Sequence, residues 1–297
     1  MITEEQLVAI PDSSAIFEQY RRLLFAIAYR MLGSGTDAED VVQDCFVRWL
    51  QSGQSADSPK SYLSSVAVNL CIDRLRSARA RREVYVGPWL PEPIAVDQPE
   101  LGESVALTES LSFAFLQMLE RLNPVERAVF LLREVFEYGY DEIAAVVGKS
   151  AANCRQIHHR ARQRIGDRPR FRVSYQEHER ITAEFLHAAA TGDVARLASL
   201  LAEDVVFTGD GGGKVRTALK EVRGRANVTR GVFGGLKWMP GGIQTRLITA
   251  NGQPAILVHV DGEPVQVVLL EVQDGQIRRI NAVLNPDKLR RVTGADC

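Results

Sequence analysis

Two stretches of this chain of 297 residues gather the side chains that bind phosphate and read bases. Arg74, Arg76, Arg79, Arg81 and Arg82 fall within nine residues; Arg155, Arg160, Arg162, Arg164, Arg168 and Arg170 fall within sixteen, opposed there only by Asp167. The second run overlaps a helix-forming segment. Along it Cys154, His158 and Ala161 recur on one face, so Asn153, Arg155, Gln156, His159 and Arg160 project from the other. Arg and Gln form bidentate hydrogen bonds with guanine and adenine edges in a duplex major groove, and the flanking Arg162 and Arg164 are placed to reach phosphates. The plainer alternative for this run is an amphipathic helix with a solvated basic face. For the first cluster it is a helix C-terminus, where the dipole welcomes cations. A third polar set, Asp40, Gln43 and Asp44, reads in isolation as a solvated helix surface.

Composition limits what those clusters mean. At 45% hydrophobic and 25% charged, the chain is of the soluble globular type, and its length calls for two or three domains. Residues 1–170 hold 20 Lys and Arg against 23 Asp and Glu, and the remainder 16 against 14. Neither part is basic overall, so nucleic-acid binding has to be local rather than a general coating. No apolar run approaches the roughly 18 residues of a membrane helix, and the N-terminus is acidic, so neither a span nor a signal peptide is expected. Cys45, Cys71, Cys154 and Cys297 lack metal-type spacing, and the first three sit in apolar helical patterns. They read as reduced, buried thiols in a cytoplasmic protein without metal or cofactor.

The elements that must position these groups follow from periodicity. Ile16, Tyr20, Leu23, Leu24, Ile27 and Met31 predict a helix from Ser13 to Leu32 that ends at Gly33. Thr36-Asp37-Ala38-Glu39 reads as a capping box opening a second helix, with Val41, Val42, Cys45, Phe46, Trp49 and Leu50 on its buried side. Ser58-Pro59 starts a third, which runs into the first arginine cluster. From Val86 to Thr108 the periodicity is lost among Pro88, Pro91, Pro93 and Pro99, which marks a linker. Trp89 and Leu90 within it predict that the linker is docked, since a tether has no use for an exposed Trp-Leu pair.

Helical spacing returns over Leu111–Leu122, and Asn123-Pro124-Val125-Glu126 opens a further helix. Tyr140–Val147, a turn at Gly148 and a helix from Ala151 to about Ile165 capped by Ser150 give a helix-turn-helix pattern. Beyond Arg170 come two helical segments, Tyr175–Ala190 and Val194–Leu201, and a glycine-dense stretch. Four β-rich runs follow, joined by Asn251-Gly252, Asp261-Gly262 and Asp274-Gly275. These predict an antiparallel meander of hairpins in an α+β domain.

The order of these pieces resembles the bacterial extracytoplasmic-function sigma factors. Ala28–Gly33 and Asp37–Trp49 look like regions 2.1–2.2 of that family, and Tyr62-Leu63, Ala67-Val68-Asn69 and Asp73–Arg76 like regions 2.3–2.4. Leu122–Arg127, Tyr140–Ala144 and Arg160-Ala161-Arg162 look like region 4. Tyr62 stands where members often carry Trp, and Gly139 where a Ser cap is common. The segment beyond region 4 looks like a SnoaL-like domain of the nuclear-transport-factor-2-like superfamily. Trp89-Leu90-Pro91-Glu92-Pro93, Asp210-Gly211-Gly212-Gly213-Lys214 and Asn285-Pro286-Asp287-Lys288-Leu289 resemble the SigJ-like class, which carries this domain fused.

The resemblance implies a multidomain chain. Two all-α sigma domains (region 2 over 10–85, region 4 over 109–168) are joined by a linker at 86–108, and an α+β SnoaL-like cone domain spans 174–297. It implies an alternative sigma factor that binds core RNA polymerase, through its β′ clamp and β flap, and promoter DNA. Asp40, Gln43, Asp44 and Trp49 would contact polymerase. The neighbourhood of Asn69 and Asp73 would capture a −10 base, with Arg74, Arg76 and Arg79 on phosphates. Asn153, Arg155, Gln156, His159 and Arg160 would read the −35 duplex. Trp89, Leu90, the Asp210–Lys214 loop and the Asn285–Leu289 segment would serve regulation through intramolecular contacts. The alternatives are a surface loop for the glycines and a solvated terminus for the tail.

Two competing classes remain. One is an enzyme of the cyclase or isomerase kind, with Asp204, Asp210 and His259 as acid–base candidates and Trp238 lining a cavity, or a pocket there that binds a small molecule without turnover. The other is a one-component regulator with a ligand-sensing domain, which leaves the N-terminal helical unit without a purpose. The preferred reading is a protein that acts by binding, with no chemistry of its own.

Overall fold

The computed structural model describes residues 13–52, 58–82, 85–95, 110–166, 173–237 and 241–292, except for the side chains of Ser52 and residues 78–82. The chain divides into two compact bodies, Met1–Ala80 with Leu119–Gly166, and Arg81–Met118 with Asp167–Cys297.

The first body is helical. α1 (Ser13–Leu32) and α2 (Gly35–Ser52) pack together, with Phe17, Leu24 and Ile27 of one and Val42, Cys45 and Trp49 of the other buried. The cap of α2 is Ser34, whose hydroxyl accepts from the amide of Asp37 at 3.1 Å, so the helix starts before the expected Thr36. α3 (Pro59–Arg82) opens on Ser58 as its sequence predicts, with the hydroxyl 3.3 Å from the amide of Ser61. α4 (Phe113–Leu119) is shorter than the predicted Leu111–Leu122 segment, and its last residue belongs to this body. α5 (Pro124–Glu134) carries the predicted capping box, Asn123 accepting from Glu126 and the Glu126 carboxylate accepting from Asn123. α6 (Tyr140–Val147) ends on Gly148 in the left-handed region at φ 62°, and Ser150 caps α7 (Ala151–Ile165), which completes the helix-turn-helix.

Polar groups lock α1 and α3 to the later helices. Arg127 on α5 is only 3% exposed. Its Nη1 donates to the Met31 carbonyl at 2.7 Å and its Nε to the Leu119 carbonyl at 3.1 Å, while Nη2 lies 3.0 Å from Glu120. The hydroxyls of Ser64 and Tyr138 meet at 2.8 Å, and Ser65 donates to the Val146 carbonyl at 3.2 Å.

The second body is a mixed sheet with helices on one face. Its elements are α8 (Tyr175–Thr191), α9 (Val194–Leu200), β1 (Leu201–Asp210), β2 (Val222–Arg223), α10 (Arg225–Leu236), β3 (Ile243–Ala250), β4 (Gln253–Val260), β5 (Glu263–Gln273) and β6 (Gln276–Val283). The strand order is β2-β1-β6-β5-β4-β3. The β3–β6 meander follows the sequence reading, and both residues of each turn pair at 251–252, 261–262 and 274–275 have positive φ, as type I′ hairpins require. β1 and α10 depart from that reading. β1 pairs parallel with β6, which makes the sheet mixed, and α10 forms despite Gly231, Gly234 and Gly235.

The sheet is covered on both sides. Ile256, Val258, Val268, Leu270 and Ile280 face the core shared with Ile181 and Phe185 of α8 and Val228 of α10. Leu257, Val267, Leu269 and Val283 pack with Leu90, Phe113, Leu289 and Val292. The linker residues Leu90–Ile94 are therefore buried, and Ala95 bridges Ala250 at the β3 edge. The Asn251 side chain fixes this course, accepting from the Ile94 amide at 3.1 Å and donating to the Leu111 carbonyl at 3.0 Å.

Replacing Arg127 by Met leaves two buried carbonyls and Glu120 without their donor. Arg127→Met is expected to destabilise the helical body by about 3 kcal/mol, read as a shift of its urea transition in the full chain. An unchanged midpoint refutes the locking role.

Candidate nucleic-acid interface and linker clamp

The α7 face is formed as its spacing predicts. Cys154, Ile157, His158, Ala161 and Ile165 are buried, while Asn153, Arg155, Gln156, His159 and Arg160 are exposed together. Arg155 lies with its guanidinium 5.1 Å from the centre of the Tyr140 ring. Arg164 is committed elsewhere, with its Nη1 2.8 Å from the Glu126 carboxylate.

The first cluster is less uniform. Asn69, Asp73 and Arg76 are exposed on α3, with Arg76 3.4 Å from Asp73. Arg74 is turned toward α2 instead. Its Nη2 meets Asp44 at 2.9 Å and its Nη1 lies 3.6 Å from Asp40, so its guanidinium is paired with carboxylates of α2 in this structure. The side chains of Arg79, Arg81 and Arg82, with residues Arg168 and Arg170, lie outside the described residues.

On α2 the expected polymerase set needs correction. Asp40, Gln43 and Asp44 are exposed, but Trp49 is 2% exposed, its indole N–H donating to the Ser13 carbonyl at 2.8 Å. An anchored core indole has no surface to offer a partner. Leu50, expected inside, is 45% exposed, and Val47 is 51% exposed. Asp40, Asp44, Val47 and Gln43 with Leu50 fall at the three- and four-residue spacing of one helix face.

Three strings singled out in sequence converge in the second body. Asp210, at the end of β1, has no exposed surface. Its carboxylate accepts from the Tyr85 hydroxyl at 2.5 Å, the Leu90 amide at 2.8 Å, the Lys288 ammonium at 2.7 Å and the Gly212 amide at 3.1 Å. Lys288 also donates to the Leu90 carbonyl at 2.5 Å and stands 4.2 Å from the centre of the Trp89 ring. Asn285 donates to the Tyr85 hydroxyl at 3.0 Å. Burial, with the bond to Asp210, pushes the Tyr85 phenol above its ordinary range. At the rim Lys214 meets Asp287 at 2.5 Å and holds its carboxyl below the usual carboxylate range.

The glycines are there for proximity. Gly212 has φ 59°, and a Cβ on it would lie 2.3 Å from Asn285 Nδ2; a Cβ on Gly211 would lie 2.1 Å from the Val215 carbonyl oxygen. Tyr85 is a clamp residue that the sequence reading omitted, because it falls at the end of the expected region 2 span, whereas the structure places it in the second body.

The acid–base candidates do not assemble. Asp210 is consumed by the clamp. Asp204 is exposed on β1 and meets Arg278 at 2.7 Å, while His259 lies on β4, three strands away, or roughly 14 Å at sheet spacing. Trp238 lies outside the described residues. A cleft of about 660 Å³ is lined by Val194, Ala198, Arg225, Thr229, Arg230 and Phe233, and neither Asp210 nor His259 borders it. Burial raises the thiols of Cys45, to about 12, and of Cys71 and Cys154, as expected of inert core cysteines, and Cys297 is outside the described residues. Among the described residues no helix is long and apolar enough to cross a membrane, and no His, Cys, Asp and Glu cluster suits a metal ion.

Family models for Sigma-70 region 2 and Sigma-70, region 4 match residues 16–81 and 112–165. With the helix-turn-helix at α6–α7, these define a sigma factor, the promoter-recognising component of a bacterial transcription machinery. The chain is 35% identical to the ECF RNA polymerase sigma factor SigJ of Mycobacterium tuberculosis, over 92% of its own length and 91% of the relative's. It is 32% identical to the probable ECF sigma factor SigI of that species, over 93% and 94% of the two chains. The crystal structure of M. tuberculosis SigJ aligns with a TM-score of 0.74 at 33% identity, covering 93% of this chain and 98% of that one. The chain belongs to the extracytoplasmic-function sigma factors, and the match extends through its α+β body.

Removing the Asp210 charge takes away the carboxylate partner of the half-buried Lys288 and the acceptor of Tyr85 and Leu90. Asp210→Ala is expected to release Tyr85–Ile94, read as faster amide exchange there by at least tenfold. Gly212→Ala is expected to act in the same direction through its clash with Asn285. Unchanged protection in both variants excludes the clamp.

Proposed function

We propose that this sigma factor reads the −35 element through the exposed face of α7 and opens the −10 element with the Asn69–Arg76 stretch of α3. We further propose that it docks on core polymerase through Asp40, Gln43, Asp44, Val47 and Leu50 of α2. The observation that carries the first assignment is the segregation of α7, with every base-reading side chain outside and His158, Cys154 and Ala161 inside. Opening a duplex needs no covalent chemistry: the unstacking of a base is offset by the pocket and stacking surface that receive it. The protein therefore works by binding, in the cytoplasm where the polymerase is, and the separation of Asp204 from His259 supports that reading over an enzyme.

The α+β body is the regulator in this account. It holds the linker by its own core, so the segment between the two sigma regions adopts the course the sheet dictates. A fused domain acts at an effective concentration on the order of mM, which suffices for a weak contact to govern the sigma regions. No ligand is needed for this role; a small molecule in the α9–α10 cleft is a further means of adjusting it.

Run-off transcription with core polymerase, on a promoter the protein selects from genomic DNA, compares the full chain with versions ending at Arg170 and at Leu284. Initiation that depends on the polymerase and changes with truncation is expected, because both truncations remove Lys288 from the clamp. Equal activity of all three rejects regulation by the extension. In the same assay Arg155→Ala is expected to weaken −35 recognition by about 1–3 kcal/mol, the worth of a bidentate base contact. Equal wild-type affinity for the native and a scrambled −35 sequence rejects that assignment.

A further inference from the structure

The inner face of the helix-turn-helix includes a buried histidine. His158 is 7% exposed, yet both ring nitrogens are engaged. Nε2 lies 2.8 Å from the Glu134 carboxylate on α5, and Nδ1 lies 2.9 Å from the Tyr140 hydroxyl on α6. A carboxylate only accepts, so Nε2 carries a proton. Burial, with Arg162, Arg133 and His159 around it, favours the neutral ring. Nδ1 of a neutral ring then accepts, and the Tyr140 hydroxyl is the donor. One imidazole thus joins α5, α6 and α7 and fixes the Tyr140 ring in position.

That ring is the platform for two guanidiniums. Arg133, held by the Tyr138 carbonyl at 3.0 Å, lies 5.0 Å from the ring centre. Arg155 lies 5.1 Å from it, and Arg155 has no ion pair with any described residue. An exposed arginine samples many rotamers, and ordering it costs free energy when it binds; a stacked guanidinium has been ordered in advance.

We propose that Glu134, His158 and Tyr140 form a relay of positioning residues that pre-orders Arg155 for its contact with a base of the −35 element. The relay rests on the assignment of Arg155 to that element and adds to it a reason for the buried polar groups beneath the recognition helix. None of the three touches DNA in this scheme. Their effect reaches the base only through Arg155.

A double-mutant cycle tests it, with the full chain in holoenzyme and the ratio of affinities for native and −35-scrambled promoters as the readout. Arg155→Ala is expected to lower that ratio about tenfold and Tyr140→Leu about fivefold, with little further loss in the double variant. Tyr140→Phe keeps the platform and removes its anchor, for an expected loss of about twofold. The salt dependence of binding should stay unchanged in the Tyr140 variants, since no phosphate contact is removed.

Losses that multiply in the double variant overturn the relay, as does a wild-type ratio in both Tyr140 variants. A wild-type ratio in Arg155→Ala instead overturns the underlying −35 assignment. Where Tyr140→Leu melts below the assay temperature, the cycle is run with Tyr140→Phe, and additivity there is equally decisive.

Discussion

A carboxylate with no exposed surface has to be surrounded by donors, and Asp210 draws its donors from its own glycine loop and from two distant stretches of the chain. Tyr85 and Leu90 come from the linker, Gly212 from the glycine loop and Lys288 from the tail. The cost of burying the charge is offset only when all are present, so the site is formed cooperatively. Much of the second body is arranged around that requirement. The glycines let the loop backbone approach Asn285, and the sheet face that receives Leu90 is the same one that receives Leu289 and Val292. The linker of a sigma factor is thereby part of the core of its appended domain.

The helical body uses the same device on a smaller scale. Arg127 reaches the carbonyls of Met31 and Leu119, and the Ser64–Tyr138 bond adds a second buried link. Directional bonds of this kind specify which surfaces meet, whereas apolar packing tolerates sliding. The residues that match sigma regions 2 and 4 thus fall largely in one folded unit, while the chain between them is built into the other.

Much of this was legible in the sequence wherever a local signal was strong. Asn123 with Glu126, Ser150 and the three hairpin turns each fix a short piece of backbone by their own chemistry, and they appear where expected. The inward face of α7 was legible because helical spacing alone separates Cys154 and Ala161 from Arg155 and Gln156. Non-local signals were not. β1 is specified by its parallel partner β6 and has no turn to announce it, and α10 contains three glycines that helix propensity disfavours. The capture of Arg74 by Asp44, the burial of Trp49 and the exposure of Leu50 depend on how helices face one another. The clamp lies between these cases: its three strings could be noticed, but their meeting at Asp210 could not.

The clamp also sets an order of events during synthesis. Leu90 and Lys288 are separated by 198 residues. At a translation rate of about 5–20 residues per second, the linker leaves the ribosome roughly 10–40 s before the lysine that will hold it. Region 4 is completed partway through that interval, and until β3–β6 follow the strip at Leu90–Ile94 has no sheet to lie on. A contact of such long range forms last, after the loop that closes it has been ordered. Each newly made molecule therefore passes through a period in which the helices of its first body have been translated and the clamp of its second body has not, so recent synthesis is itself a state of the protein.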